Sequence, residues 1–573
     1  MKYTLQQLDQ LDLFTFLENT AKAMPRQKAL AYVGEEYIDY GDFYRQSLQL
    51  ASFLQAQGVN AYDKIAIWGE NGPQWLIAYF AIVSFGAVAV PVLPDFSAKE
   101  IENIIKHSEA KILFISDSFK RKLKGLLTGI TMISLGDFSL EIWQNGKQKT
   151  IQFQNFVKDN PEIKPRKTIV HAEDLASIIY TSGTTGNSKG VMLSHRNLVA
   201  NGIQGHFTFA INKEDRFLSL LPMSHTLEFT LGNIYPVMYG ASIHYLRKPP
   251  TATVLLPAMS KIKPTFMLTV PLIIEKIYKS KIRPELTNSV WKKKLFSWSP
   301  MRKWMHKIAG KKLMGTFGGE MRFFGIGGAK LDGEVEQFLL DAKFPYAIGY
   351  GLTETSPLLA GAIPGKWKLG STGTPVKGVR FKLINIDPKT GEGEIVAYGP
   401  NVMKGYYKAE HLNKQVFVDD GGFRTGDTGI IDKDGYLFIK GRIKNMILGP
   451  SGENIFPEEI EEAINKSEWV MESLVYELKG KIIARVELNH DAIQKTIQEW
   501  KEKAADIEQE VELILKKIQK SVNEEVNKFS RINKIFEQKE PFIKTPTRKI
   551  KRYLYHDLEP HENPVEKKEK IDK

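Results

Sequence analysis

Between about residues 40 and 350, short β-rich runs alternate with stretches whose apolar residues recur three and four positions apart. The runs include "KIAIWG", "AVAVPV", "KILFIS", "ASIIYTS" and "MRFFGIGG". Strands that alternate with helical periods predict a layered α/β architecture with largely parallel sheets. From roughly 365 to 440 the texture changes to short strands and turns, "GVRFKLIN", "GEIVAYGP" and "GYLFIKGR", which predicts a small β-rich subdomain. After Gly441 helical periods dominate. Ile493, Ile497, Trp500, Ala504, Ile507, Val511, Ile514, Ile518 and Val522 mark an amphipathic helix or helical hairpin with one face on the body.

One apolar stretch, Trp75 to Leu93, is about as long as a membrane span. Asn71-Gly72-Pro73 reads as a helix start, Gly86 as its stop and "AVAVPV" as a buried strand, so a helix followed by a strand is expected instead. A chain of 573 residues exceeds what one core supports. Its apolar and charged fractions, 42% and 25%, are those of a soluble globular protein. The absence of cysteine excludes disulfides, thiolate metal sites and a cysteine nucleophile. The first twenty residues carry acids and no continuous apolar core, so no signal peptide is expected and a cytoplasmic address follows.

Charge is concentrated. Between Lys276 and Lys312 there are twelve lysines or arginines against one acid, Glu285, an excess close to the net +13 of the whole chain. Trp291, Phe296, Trp298, Trp304, Met301 and Met305 are interleaved with them. Two readings stay open: peripheral docking on an anionic membrane, such as the inner face of the cell membrane, or a surface helix whose tryptophans are buried in the body. Nothing else suggests nucleic acid.

The candidate chemistry starts at "YTSGTTGNSKG", residues 180–190. Glycine backbone, hydroxyls and a lysine are what phosphate oxygens bind. The spacing is not Gly-x-x-x-x-Gly-Lys-[Ser/Thr], so any nucleotide is held differently from the common phosphate loop. "GYGLTET" (349–355), "FRTGD" (423–427), "GRIKN" (441–445) and "TPTRKIKR" (545–552) follow in order. Together the five closely resemble the adenylate-forming superfamily of acyl-CoA synthetases, peptide-synthetase adenylation domains and luciferases, over Ala29 to Arg552.

The resemblance implies a large N-terminal domain of layered α/β sheets over 1–440, with 365–440 as its β-rich part. A hinge at 441–446, a smaller mobile α+β C-terminal domain over 447–558 and a polar tail at 559–573 follow. It also implies that Ser182, Gly183, Thr184, Thr185, Gly186 and Lys189 grip the phosphates of ATP, and that Thr181 and Glu354 hold Mg²⁺. Gly327, Gly328, Gly349, Tyr350 and Gly351 would border the adenine, Thr353 the α-phosphate, and Asp427 and Arg442 the ribose. Lys549 would be the catalytic cation, Lys444 the pivot, and Thr185, Glu354 and His225 further catalytic groups. "TPT" just before Lys549 is typical of the long-chain branch, although Ile543 and Arg548 replace the commoner proline and glycine.

"LPMSHTLEFTLGN" (221–233) lacks the aspartate with which amino-acid activators hold an ammonium, and Glu228 reads as a structural partner. The apolar "FMLTVPLIIEKIY" and "GNIYPVMYG" suit an acyl chain. The expected activity is ATP-dependent activation of a medium- or long-chain fatty acid with transfer to CoA. An acyl carrier protein as acceptor is the alternative, and a non-catalytic lipid-binding relative is a third reading.

Overall fold

The computed structural model describes residues 3–123, 130–144, 147–162, 168–181, 188–448, 454–490, 492–494, 507–545, 549–555 and 558. Among these, two nine-stranded sheets dominate. In one, Leu175–Thr181, Val88–Pro91, Lys64–Trp68, Ile112–Ile115 and Thr131–Ser134 lie side by side and parallel. In the other the parallel run is Lys28–Tyr32, Ser242–Tyr245, Arg216–Ser219, Phe266–Thr269, Phe323–Ile326 and Tyr346–Gly351. Antiparallel strands flank both runs.

The strands are apolar throughout because both faces are covered. Ile65 and Ile67 join one core, while Ala66 and Trp68, pointing the other way, join a second; all four are fully buried. The first core also takes Phe217, Ile243 and Phe266, so one apolar mass joins the two large sheets. Across it Phe217, Phe266 and Phe323 stack on neighbouring strands with ring centroids 4.2 and 4.5 Å apart.

The apolar stretch after Trp75 forms helix Pro73–Ser84 and strand Val88–Pro91, as expected. Proline opens the helix, where its missing N–H costs nothing, and Gly86 at φ +80° ends it. Every residue of this helix except Gln74 is buried, which explains its apolar circumference. Among the described residues no helix is long and apolar enough to cross a membrane.

Arg380–Ile384, Gly393–Tyr398, Phe423–Ile431 and Leu437–Arg442 form a four-stranded antiparallel sheet in the β-rich region. Its register sets Asp427 directly opposite Arg442. Beyond it, a smaller unit has its own core of Ile455, Ile460, Val470, Val475, Ala484 and Val486. Strands Val470–Leu478, Lys481–Leu488 and Lys534–Glu537 build its sheet. Helix Ile507–Glu525 lays Ile514, Leu515, Ile518 and Val522 on that core. Ile497, Trp500 and Ala504 of the amphipathic pattern lie outside the described residues. The large α/β body followed by a smaller α+β unit is the architecture the sequence predicts.

Gly373 links the second large sheet to the four-stranded one, its carbonyl accepting from the Leu437 N–H at 2.9 Å. It has φ +85°, and an added Cβ would lie 2.1 Å from the carbonyl carbon of Gly361. Gly365 has φ +89° with open space around it. Gly365→Ala should therefore cost only about 1 kcal/mol, whereas Gly373→Ala should cost roughly 3 kcal/mol or more. Denaturant unfolding of both variants checks the difference.

Candidate active site

Strand Leu175–Thr181 turns back antiparallel into Lys189–Ser194, with Thr181 opposite Lys189. Ser182, Gly183, Thr184, Thr185 and Gly186 lie outside the described residues. The glycine-rich segment thus joins two strands, and helix His195–Thr208 starts only after the second. Its lysine is anchored by a sheet and not by a helix N-terminus. Two residues on, Val191 pairs with Tyr406, whose hydroxyl donates to Glu354 Oε1 at 2.8 Å. The Lys189 ammonium stands 5.2 Å from the centre of the Tyr406 ring. Sheet register and one tyrosine therefore gather Thr181, Lys189 and Glu354.

Strand Tyr346–Gly351 ends in a turn, Thr353–Thr355, that carries Glu354 and the half-buried Thr353. On this strand Tyr350 is only 9% exposed, and its hydroxyl donates to Asp427 Oδ2 at 2.9 Å. Arg442 Nε approaches Asp427 Oδ1 at 2.7 Å. The resemblance implied that Tyr350 borders the adenine and Asp427 the ribose. The structure buries the ring against Leu359, Ala360 and Ile395 and engages both carboxylate oxygens of Asp427. Each oxygen still has a second lone pair for a hydroxyl donor. Gly327 is buried beside this strand; a Cβ there would lie 3.7 Å from the Gly349 carbonyl oxygen. Gly328, at φ +90°, is exposed next to it. At Gly351 a Cβ would fall 1.8 Å from the Pro357 carbonyl oxygen, so no side chain fits.

The lysine comes from the other unit. Thr545 and Lys549 bond to each other: the Thr545 N–H donates to the Lys549 carbonyl at 2.7 Å, and the Lys549 N–H to Thr545 Oγ1 at 3.1 Å. The resemblance singles out Lys549, and Lys551 and Arg552 are its neighbours in the same charged run. Arg552 is committed inside its own unit, to Glu461 Oε2 at 2.5 Å and the Val475 carbonyl at 3.2 Å. Lys551 lines a separate cleft with Asp95 and Glu100. Lys549 alone of the three enters the field of Arg442, Asp427 and Glu354. Its side chain remains solvent-accessible. Crowding by protein, and then Arg442, lower its pKa, while Asp427 and Glu354 oppose that.

Two further shifts show the same crowding. Lys189 is lowered first by partial burial and then by Lys444, against Glu354. His225 is pushed down to about 4, first by burial and then by Lys549, so it is neutral at pH 7. Its Nδ1 accepts from the Leu227 N–H at 3.3 Å, which places the ring proton on Nε2. Lys444 is exposed in the short turn Ile443–Asn445, and Asn445 donates to Glu458 Oε1 at 2.6 Å. An acid at position 445 would repel Glu458, which gives asparagine a reason to be there.

Sequence reasoning missed two groups. Tyr406 lies outside every motif and is revealed only by strand pairing. Asn71, read as part of a helix start, donates to the Leu221 carbonyl at 2.6 Å and accepts from the Met223 N–H at 2.9 Å. It thereby fixes the loop that presents His225. Glu228 is buried in an irregular helix, Leu227–Ile234, with its pKa pushed up to about 8 by burial, against Ser219 and Leu221.

Residues 17–407 match the family model described as AMP-binding enzyme. The chain belongs to the AMP-binding enzyme family. Relatives in this family include long chain acyl-CoA synthetase 1 of Arabidopsis thaliana, 30% identical over 503 residues (80% of this chain, 74% of the relative). A long-chain-fatty-acid–[acyl-carrier-protein] ligase of the same plant is 29% identical over 525 residues, covering 76% and 70% of the two chains. A long-chain-fatty-acid–CoA ligase of Mycobacterium bovis is 28% identical, covering 87% of each. The fold of this family member matches a crystal structure of an anthranilate CoA ligase in complex with anthranoyl-AMP, with a TM-score of 0.76 at 20% identity over 96% and 98% of the chains.

Glu228 gives this site a pH signature. Its folded pKa, about 8, lies above the ordinary carboxyl value of 4.5. The folded state therefore keeps the proton while the unfolded state releases it, and stability falls as pH rises from about 4.5 to 8. Glu228→Gln, uncharged and of the same shape, should raise the melting temperature by a few degrees at pH 8 and by little at pH 5. Thermal unfolding across that range reads the difference.

Proposed function

We propose that the protein is an AMP-forming ligase that activates a medium- or long-chain fatty acid and passes it to CoA. The observation that carries this reading is the placement of Lys549, from the small C-terminal unit, in the field of Asp427, Glu354, Arg442 and His225. The acyl-CoA synthetase and ligase names of the relatives support the substrate class. The lack of an aspartate after "LP" argues against amino acids. The alternative acceptor, an acyl carrier protein, is favoured by one relative's name. Possession of Lys189, Glu354, Asp427 and Lys549 argues against a non-catalytic role.

In this reading the fatty carboxylate attacks the α-phosphorus of ATP, and the bond to pyrophosphate breaks. Both reactants are anionic, so cations must remove the repulsion. Lys549 lies between the attacking carboxylate and the α-phosphate and neutralises both. Lys189, with the hydroxyls and glycines of 182–186, holds the leaving phosphates. Asp427 accepts from the ribose hydroxyls while Arg442 holds it in place. Thr353 adds a hydroxyl near the α-phosphate. Gly327, Gly328, Gly349 and Gly351 leave room for the purine. His225, neutral with its proton on Nε2, donates to a carboxylate or acyl oxygen without adding charge.

Thr181 and Glu354 offer the two hard oxygens that suit Mg²⁺, which takes few protein ligands beside phosphates. When bound, Mg²⁺ supplies neutralising charge to the phosphate oxygens. In the second half-reaction the CoA thiol sulfur attacks the acyl carbon, the carbon–oxygen bond to AMP breaks, and the thiol proton is lost. Residues 441–446, with Lys444 as pivot, serve as the hinge that exchanges Lys549 for another face of the C-terminal domain between the two steps.

Pyrophosphate release from MgATP should require a fatty acid, and acyl-CoA should appear when CoA is added. Turnover of amino or aromatic acids far above any fatty acid would overturn the substrate class, and turnover with holo carrier protein alone would change the acceptor. Lys549→Ala should lower acyl-adenylate formation on the order of 10²–10³-fold and largely spare thioester formation from preformed acyl-AMP. Equal loss in both half-reactions would remove the assignment.

A further inference from the structure

The basic segment projects as two helices, Val290–Ser297 and Ser299–Thr316, joined at Trp298. No residue of the first is buried. The second is anchored on one side by Met305, His306, Gly310 and Leu313, with His306 Nδ1 2.9 Å from Asp341 Oδ2. That anchor turns the other side outward. Trp304 and Ile308, one turn apart, are 58% and 50% exposed, and Trp291, Leu295 and Trp298 are 77%, 39% and 60% exposed. Among the described residues, every exposed tryptophan of the chain lies here. Of the two readings left open by the sequence, burial of these rings in the body is excluded.

Several of the cations have partners within the body or the segment, and Lys292 Nζ donates to the Glu285 carbonyl at 3.2 Å. Lys312 pairs with Glu285 at 2.9 Å, Arg283 with Glu334 at 3.2 Å and Lys279 with Asp332 at 3.2 Å. Among the described residues no carboxylate pairs with Lys294, Lys303, Lys307 or Lys311. The last three repeat every four residues and so form a stripe beside Trp304 and Ile308. Apolar rings alone would suit any hydrophobic partner, and lysines alone any anionic one. Indole rings interleaved with ammonium groups on projecting helices match one environment best: the headgroup layer of a bilayer, where rings reach the acyl boundary and cations meet phosphates.

We propose that the hairpin Val290–Thr316 docks the protein on an anionic lipid bilayer through Trp291, Trp298 and Trp304 and the lysines around them. This goes beyond the acyl-ligase reading and does not need it, because docking is measured without ATP or acid. The full-length protein is co-sedimented with vesicles of phosphatidylglycerol and phosphatidylcholine, and with phosphatidylcholine alone. Wild type should prefer the anionic vesicles, and rising salt should weaken binding as the Debye length falls below roughly 8 Å. Lys292→Glu, Lys293→Glu and Lys294→Glu together should lower partitioning on the order of 100-fold or more. Replacing the three tryptophans by alanine should remove the binding that survives high salt. Matching thermal midpoints certify that each variant is folded. Equal binding to neutral and anionic vesicles would overturn the proposal, as would binding unchanged in both variants. It also fails if charge reversal spares vesicle binding and slows only turnover of a carrier protein, since the surface would then belong to an acidic protein.

Discussion

Like charges held close together govern this site. Lys189, Lys444, Arg442 and Lys549 share it with two carboxylates, Asp427 and Glu354. The excess shows in the titration of its members. Burial is the larger cause in each case, and like charge adds to it: Lys444 lowers Lys189, Arg442 lowers Lys549, and Lys549 lowers His225. Such self-repulsion works against folding, so the scaffold must hold these groups in place with interactions made elsewhere. A polyanionic substrate relieves that repulsion, and this converts a structural cost into binding and catalysis under the proposed function.

The scaffold achieves this mainly through sheet register. A strand slipped by one residue turns every side chain to the opposite face. The pairing of Thr181 with Lys189, of Val191 with Tyr406 and of Asp427 with Arg442 thus decides whether the cluster exists. The fully buried cores on the faces of the large sheet fix the first two pairings, and the separate core of Ile395, Ala397 and Leu437 fixes the third. Apolar packing far from the site therefore supplies the precision that its charges need.

The small C-terminal unit relates differently to the rest. Besides Lys549, its ties to the body among the described residues include polar ones: Lys279 Nζ donates to the Asn465 carbonyl at 2.7 Å, Lys330 meets Glu462 at 2.5 Å and Lys440 meets Glu459 at 3.2 Å. Contacts of this kind, partly exposed, hold an orientation weakly compared with an apolar interface. That balance is compatible with the hinge motion proposed for residues 441–446, and it separates the rigid half of the site from the half contributed by Lys549.

The sequence by itself determined the α/β body, the β-rich insert and the helix–strand reading of Trp75 to Leu93. Those depend on local periodicity and on Gly72, Pro73 and Gly86, which act over a few residues. It also identified the ordered motifs that carry the charges, because each motif is a contiguous string. The motif resemblance singled out Lys549 from a run of three cations, and the fold gives the physical reason they differ, with Arg552 at Glu461 and Lys549 in the field of Arg442, Asp427 and Glu354. Tyr406, Asn71 and the buried state of Glu228 belong to the fold alone, since each is defined by partners more than forty residues away or by burial. The outward tryptophans of 290–304 were undecided for a related reason: an amphipathic pattern says which residues share a face, and only packing decides whether that face meets the body or the surroundings.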